Sequence, residues 1–67
     1  MLSYKKLWKL LIDKEIKKKE LSSLADVSMT SIAKLGRNEN VNTDILNKIC
    51  RALDCQIEDI VEYISEE

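Results

Sequence analysis

The chain has no histidine, no proline and no phenylalanine, a single glycine and only two cysteines. Each scarcity removes a class of function or fold. Without histidine there is no ordinary general base near neutral pH, and the serines have no evident activating partner. Cys50 and Cys55 lack the CxxC spacing and have no histidine to complete a zinc site. One glycine cannot make a glycine-rich phosphate loop. The longest apolar run is Leu10 to Ile12, so no membrane span is expected, and no signal peptide or lipidation motif is present. The expectation is a chain with no enzymatic activity, cofactor, metal or small-molecule ligand. The absence of proline and the lone Gly36 favour an all-helical fold, because nothing interrupts helical periodicity.

What is present fits one small domain spanning residues 1–67. With 45% hydrophobic and 34% charged residues the chain is globular, although a domain of this size buries only about 60% of its unfolded surface. Periodicity predicts five helices. Ser3 is placed to cap a first helix from about Tyr4 to Lys14, with Tyr4, Leu7, Trp8 and Leu11 inward and Ile16 packing from the loop. Two short helices follow within 18–35, and Gly36 is expected to stop the second of them. Arg37 to Val41 reads as a polar loop. Asn42 or Thr43 opens a fourth helix with Ile45, Leu46, Ile49, Cys50 and Leu53 as its apolar stripe. Gln56 to Ile64 reads as a fifth, with Ile57, Ile60, Val61 and Ile64 inward. Its acids, Glu58, Asp59 and Glu62, form a solvated face without the loop spacing of a calcium site. No strand pattern is visible.

The segment from Lys18 to Leu35 carries the functional signal. Leu21, Leu24 and Ala25 share a helical face, and Ser22 keeps the helix approach uncrowded. Asp26 occupies a turn position that requires positive φ, which Asp and Asn tolerate best among non-glycine residues. Val27 follows as an inward plug, Ser28 is placed to cap the next helix, and Ile32 and Leu35 supply its buried stripe. Met29, Thr30, Ser31, Ala33 and Lys34 are left facing outward. This is the pattern of a helix-turn-helix, whose second helix presents a short-chained polar face that the DNA major groove admits.

Charge is unevenly distributed. Residues 1–37 hold nine Lys and Arg against four acids, and residues 38–67 hold two against eight. The basic half contains the helix-turn-helix, so a pI near 5.4 does not argue against nucleic-acid binding, which follows the local patch. Lys5, Lys6, Lys9 and Lys14 also read simply as the solvated face of the first helix. Cys50, on the stripe of its helix, reads as a reduced, buried thiol in a cytoplasmic protein, with Cys55 covering the core beside it.

These features together resemble the Cro/cI-like (phage-repressor, XRE-type) helix-turn-helix regulator family over nearly the full chain. The similarity rests on Lys18, Leu21, Ser22, Ala25, Asp26, Val27, Ile32 and Leu35, on the Arg37-Asn38 loop, and on the helix from Thr43 ending Ile-Cys-Arg-Ala-Leu-Asp. The family often has Ala at Ser22, Gly at Asp26, Glu at Gly36 and Gln at Lys18. The resemblance implies a compact all-α five-helix bundle of the lambda-repressor-like DNA-binding type, with the third helix in the major groove. It implies base reading by Met29, Thr30 and Lys34. Ser28 and Ser31 would reach base or backbone, and Lys18, Lys19, Arg37, Asn38 and Asn40 would hold the backbone. Three of these have competing roles: Ser28 as a cap, Met29 as core packing, and Asn38 as a positive-φ turn residue.

The expected function is sequence-specific binding of a double-stranded DNA operator by a transcriptional repressor, as a homodimer formed through the C-terminal helices around Arg51, Tyr63 and Ile64. The competing expectation is a protein-interaction module that keeps the fold and binds a partner through its acidic half or the Trp8 region.

Overall fold

A computed structural model describes residues 1–65; the last two positions of the expected 1–67 domain lie outside the described residues. The elements run β1 (Leu2–Ser3), α1 (Lys5–Asp13), α2 (Lys18–Ala25), α3 (Met29–Gly36), α4 (Thr43–Leu53), a 3₁₀ turn (Ile57–Asp59) and β2 (Glu62–Tyr63). The core they enclose consists of Tyr4, Leu7 and Leu11, Leu21 and Ala25, Val27, Ile32 and Leu35, Leu46, Ile49 and Leu53, and Ile60. Each helix contributes residues three or four apart, the spacing that aligns side chains on one helical face. Beside α1, Ser3 is not the N-cap. It is buried in β1, and its Oγ accepts from the Lys5 N–H at 3.3 Å.

The four α-helices among the described residues end in the same way. Glu15, Asp26, Asn38 and Asp54 have φ between 51° and 57°. Each is followed by a residue whose N–H returns to a carbonyl five positions back: Ile16 to Leu11, Val27 to Ser22, Glu39 to Lys34 and Cys55 to Cys50, at 2.9–3.1 Å. This is the Schellman turn, in which a left-handed residue closes the helix and satisfies its free carbonyls. Glycine is the usual occupant. Here none of the four is glycine, and the carboxamide and carboxylate residues tolerate the conformation at some cost. Gly36 does not stop α3 as expected. It lies inside the last turn without positive φ, and Asn38 reverses the chain.

The predicted fifth helix does not form. Residues 57–59 make one 3₁₀ turn, and Glu62–Tyr63 pairs antiparallel with Leu2–Ser3, Leu2 opposite Tyr63 and Ser3 opposite Glu62. The ribbon continues one residue outward through Ile64 N–H to Met1 carbonyl at 2.7 Å. Thus the all-α, five-helix expectation becomes four α-helices and a two-stranded ribbon among the described residues. Val61, Tyr63 and Ile64, β-branched or aromatic, tolerate extended backbone well, and pairing with Leu2–Ser3 selects the strand over a helix. Of the four side chains expected inward, Ile60 is fully buried and Val61 half-buried, whereas Ile57 and Ile64 are exposed. The expected inward Leu24 is also exposed, at 58%. With 100° between successive residues, the Leu21–Ala25 stripe leaves Ser22 and Leu24 about 80° to either side. The stripe tilts toward Ser22, whose Oγ donates to the Val27 carbonyl at 2.6 Å.

These assignments give opposite signs for two neighbouring substitutions. Gly36→Ala should stabilise the domain by about 0.4–1 kcal/mol, since its φ suits alanine and an added Cβ would meet only the Lys18 Nζ at 3.8 Å. Asn38→Ala should destabilise it by roughly 1–3 kcal/mol through positive-φ strain and the loss of a buried-end contact. Urea midpoints of the two variants would show the contrast; a stabilising Asn38→Ala would overturn the account of this turn.

Candidate nucleic-acid interface

The turn between α2 and α3 comprises Asp26, Val27 and Ser28. Asp26 is left-handed, with φ 57° and ψ 49°, Val27 is buried, and Ser28 is extended with φ −72° and ψ 155°. The Ser28 Oγ accepts from the Ser31 N–H at 3.1 Å and shares a second contact with the Ser31 hydroxyl at 3.1 Å. That bond fixes where α3 begins. With Ile32 and Leu35 locked into the core, Met29, Thr30, Ala33 and Lys34 are exposed and Ser31 is half-buried. Thr30, Ala33, Lys34 and Arg37 follow the three-and-four spacing, so they form one outward strip. Met29 is exposed rather than buried in the motif's own core.

The backbone-contact candidates divide by what already holds them. Arg37 and Glu39 form a salt bridge through the Arg37 Nε, with a second contact from its NH2 group at 3.4 Å. The shared hydrogen bond raises the Arg37 pKa and holds the Glu39 carboxyl below its usual range. The guanidinium is therefore charged, exposed and paired with a neighbour on its own loop. Asn38 uses its Oδ1 to accept the Tyr4 N–H at 3.1 Å, which ties the loop after α3 to the start of α1. Its positive φ and this bond make it a structural residue at the edge of the interface. Asn40 is exposed in the same loop.

Lys18 is the best-braced cation. Its Nζ lies 4.5 Å from the centroid of the Trp8 ring and beside Gly36, so it spans α1, α2 and the end of α3. Cation–π attraction at an exposed site is modest, about 0.5–1 kcal/mol, but it holds the ammonium in place. Lys19 is exposed next to it. Lys17, not among the expected contacts, is the N-cap residue of α2. The run Lys17-Lys18-Lys19 places three cations at the positive end of a helix dipole, where positive charge is unfavourable. Only Glu20 offsets them, its carboxylate accepting the Lys17 N–H at 3.2 Å. A helix N-terminus carrying lysines is unfavourable in isolation and favourable beside an anion. The run is legible in sequence, but only the position of the helix start shows its significance.

The comparison with known proteins follows this geometry. A Cro/C1-type helix-turn-helix DNA-binding domain description matches residues 6–66. The chain belongs to the Cro/C1-type helix-turn-helix family. A crystal structure of the transcriptional regulator VanUg superimposes with a TM-score of 0.91 and 51% sequence identity, covering 97% of this chain and 87% of that one. The uncharacterized HTH-type transcriptional regulator YozG of Bacillus subtilis strain 168 is 42% identical over 50 residues, 72% of this chain and 60% of YozG. The chain thus spans about 60% of the length of that curated relative. As a member of the Cro/C1-type family, the chain is a DNA-binding domain of the transcription-regulator class. No helix among the described residues is long and apolar enough to cross a membrane.

If the lysine run opposes its own helix, Lys19→Gln should raise folding stability slightly, by about 0.3–1 kcal/mol at low ionic strength, and the gain should fade with added salt. Thermal melts at two salt concentrations would test this. A destabilised Lys19→Gln would show that Lys19 supports the fold instead.

Proposed function

We propose that this protein is a cytoplasmic, sequence-specific regulator of transcription that binds double-stranded DNA as a homodimer and represses by occupying its operator. The observation that carries the reading is the exposed strip of α3 beside the cationic start of α2. Packing has fixed the opposite face of α3, so its outward side chains form a rigid, narrow surface suited to the major groove. Thr30 and Lys34 are the base readers, with Met29 making apolar contact and Ala33 small enough to admit a thymine methyl. Ser28 and Ser31, engaged with each other, reach the adjacent base or phosphate. Lys18 and Lys19, with Lys17, take one stretch of phosphate backbone. Arg37 and Asn40 take another, and Asn38 positions that loop.

Arg37 reaches phosphate by exchanging Glu39 for an anion of the duplex. An exposed ion pair is worth little, so this exchange is cheap, and Glu39 discourages contact with polyanions that offer no compensating bonds. We assign the homodimer to the ribbon formed by β1 and β2, because Tyr63 and Ile64, expected on a fifth helix, lie there instead. Leu2, Tyr63 and Ile64 are exposed there, Tyr63 at 72%, with Leu2 paired opposite Tyr63. A single module buries only about 600–1,000 Å² of protein on DNA, which makes two half-sites about one helical turn apart the natural arrangement.

Selection of bound duplexes from a random pool is the direct test, and a palindromic site is expected. On that site Thr30→Ala and Lys34→Ala should each lose roughly 1–3 kcal/mol while random DNA is bound nearly as before. Lys19→Gln should weaken both alike and reduce the salt slope by about 0.9. Failure to enrich any sequence, together with salt-insensitive capture of a protein partner, would favour the interaction-module reading. A 1:1 complex by sedimentation on the full site would exclude the dimer.

A further inference from the structure

Cys50 and Cys55 stand five residues apart, a spacing that belongs to no redox or metal motif in sequence. The end of α4 gives the spacing a structural meaning. Asp54, at φ 51°, is the left-handed residue of the closing turn. Cys50 and Cys55 are then the two positions whose side chains meet across a Schellman turn, a contact usually made by apolar groups. At two other helix ends the corresponding positions are Leu11 and Ile16, and Ser22 and Val27. At α4 the two corresponding positions are both thiols, Cys50 and Cys55.

The backbone geometry suits covalent closure. The Cys55 N–H donates to the Cys50 carbonyl at 3.0 Å, so the turn brings the two residues side by side, the approach that a disulfide requires. Both cysteines are free and half-buried. They line an open surface groove of about 520 Å³ together with Leu46, Asn47, Gln56 and Ile57, so a small reagent can reach them. None of the groove's residues belongs to the proposed DNA face.

We propose that Cys50 and Cys55 form a reversible dithiol–disulfide site, oxidised by low-molecular-weight disulfides such as that of glutathione. In the first step the Cys50 thiolate attacks one sulfur of the small disulfide; its S–S bond breaks, a mixed disulfide forms on Cys50 and one small thiolate leaves. In the second, Cys55 gives up its proton to water and attacks the Cys50 sulfur, releasing the second small thiolate. Two protein thiols are oxidised and one small disulfide is reduced to two thiols. The order follows from the environment of Cys55, whose pKa is pushed up to about 11 by burial and by the neighbouring Cys50. Thiolate is the attacking form, so Cys55 acts second.

The test uses the reduced full chain in buffers of increasing glutathione disulfide to glutathione ratio, quenched by acid, alkylated and weighed intact. The expected product is a single chain lighter by two hydrogens, resistant to alkylation, reverting with dithiothreitol and melting at a higher temperature than the reduced form. Cys55→Ser should stop at a glutathione adduct on Cys50, and Cys50→Ser should form its adduct more slowly. Two alkylated thiols at the most oxidising ratio, glutathione adducts that persist on the unaltered chain, or disulfides between chains would each overturn the proposal. The mass measurement on the unaltered chain decides the matter even where a variant fails to fold.

Discussion

The left-handed reversal at the end of each helix is the constraint on which the rest of this structure depends. Short helices of eight to eleven residues are marginal by themselves, and their stability comes from facing a common core. They can face it only if the chain turns sharply after each one. Glu15, Asp26, Asn38 and Asp54 make those turns at a backbone conformation costing roughly 1–2 kcal/mol for a residue with a Cβ. Burial of the residue after the turn offsets that cost where it is apolar: Val27 is buried, and Ile16 and Cys55 pack against the core. After α3 the offset is different, because Glu39 follows and Asn38 instead binds the Tyr4 backbone.

The exposed strip of α3 inherits its rigidity from this scheme. The turn at Asp26 and the cap at Ser28 set where α3 starts, and Asn38 sets where it ends. Between them Ile32 and Leu35 fix rotation about the helix axis. A side chain such as Lys34 is therefore carried on a backbone already held in place, and in the proposed complex less conformational entropy would be lost on binding. The cations at the start of α2 are braced separately, by Trp8 through Lys18, so the two parts of the proposed interface rest on adjoining but distinct supports.

Much of this arrangement was legible in the sequence because it is encoded locally. The positive φ of Asp26, the plug at Val27, the cap at Ser28 and the stripes of α3 and α4 each depend on residues within a turn or two of one another. Asn42 likewise caps α4, its Oδ1 accepting the Ile45 N–H at 3.0 Å. What escaped was non-local or degenerate. Residues 57–64 carry apolar side chains at helical spacing, and only their pairing with Leu2–Ser3, some sixty positions away, selects a strand. Gly36 does not end α3, although glycine is the commonest helix stop, because Asn38 two residues later serves the same purpose and also supplies a side-chain bond. Periodicity allows Leu24 two faces on so short a helix, and a serine-to-carbonyl bond chooses between them. Within the interface, the pairing of Arg37 with Glu39 and the bracing of Lys18 are side-chain geometry that spacing alone does not encode.

The ribbon between residues 2–3 and 62–63 has a consequence for the order of events during synthesis. Closing a loop of that length is entropically dearer than forming any of the helical turns, and a strand cannot pair before its partner exists. While the chain emerges from the ribosome, α1 to α4 can form and dock on local contacts, but Ser3 stays without its opposite strand until Glu62 and Tyr63 are free. In the finished protein the same pair would be among the first contacts to open, since a two-stranded ribbon of this size has little stability apart from the core beneath it. Any surface built on the ribbon would thus become functional only after the helical part of this domain and be the first to be withdrawn.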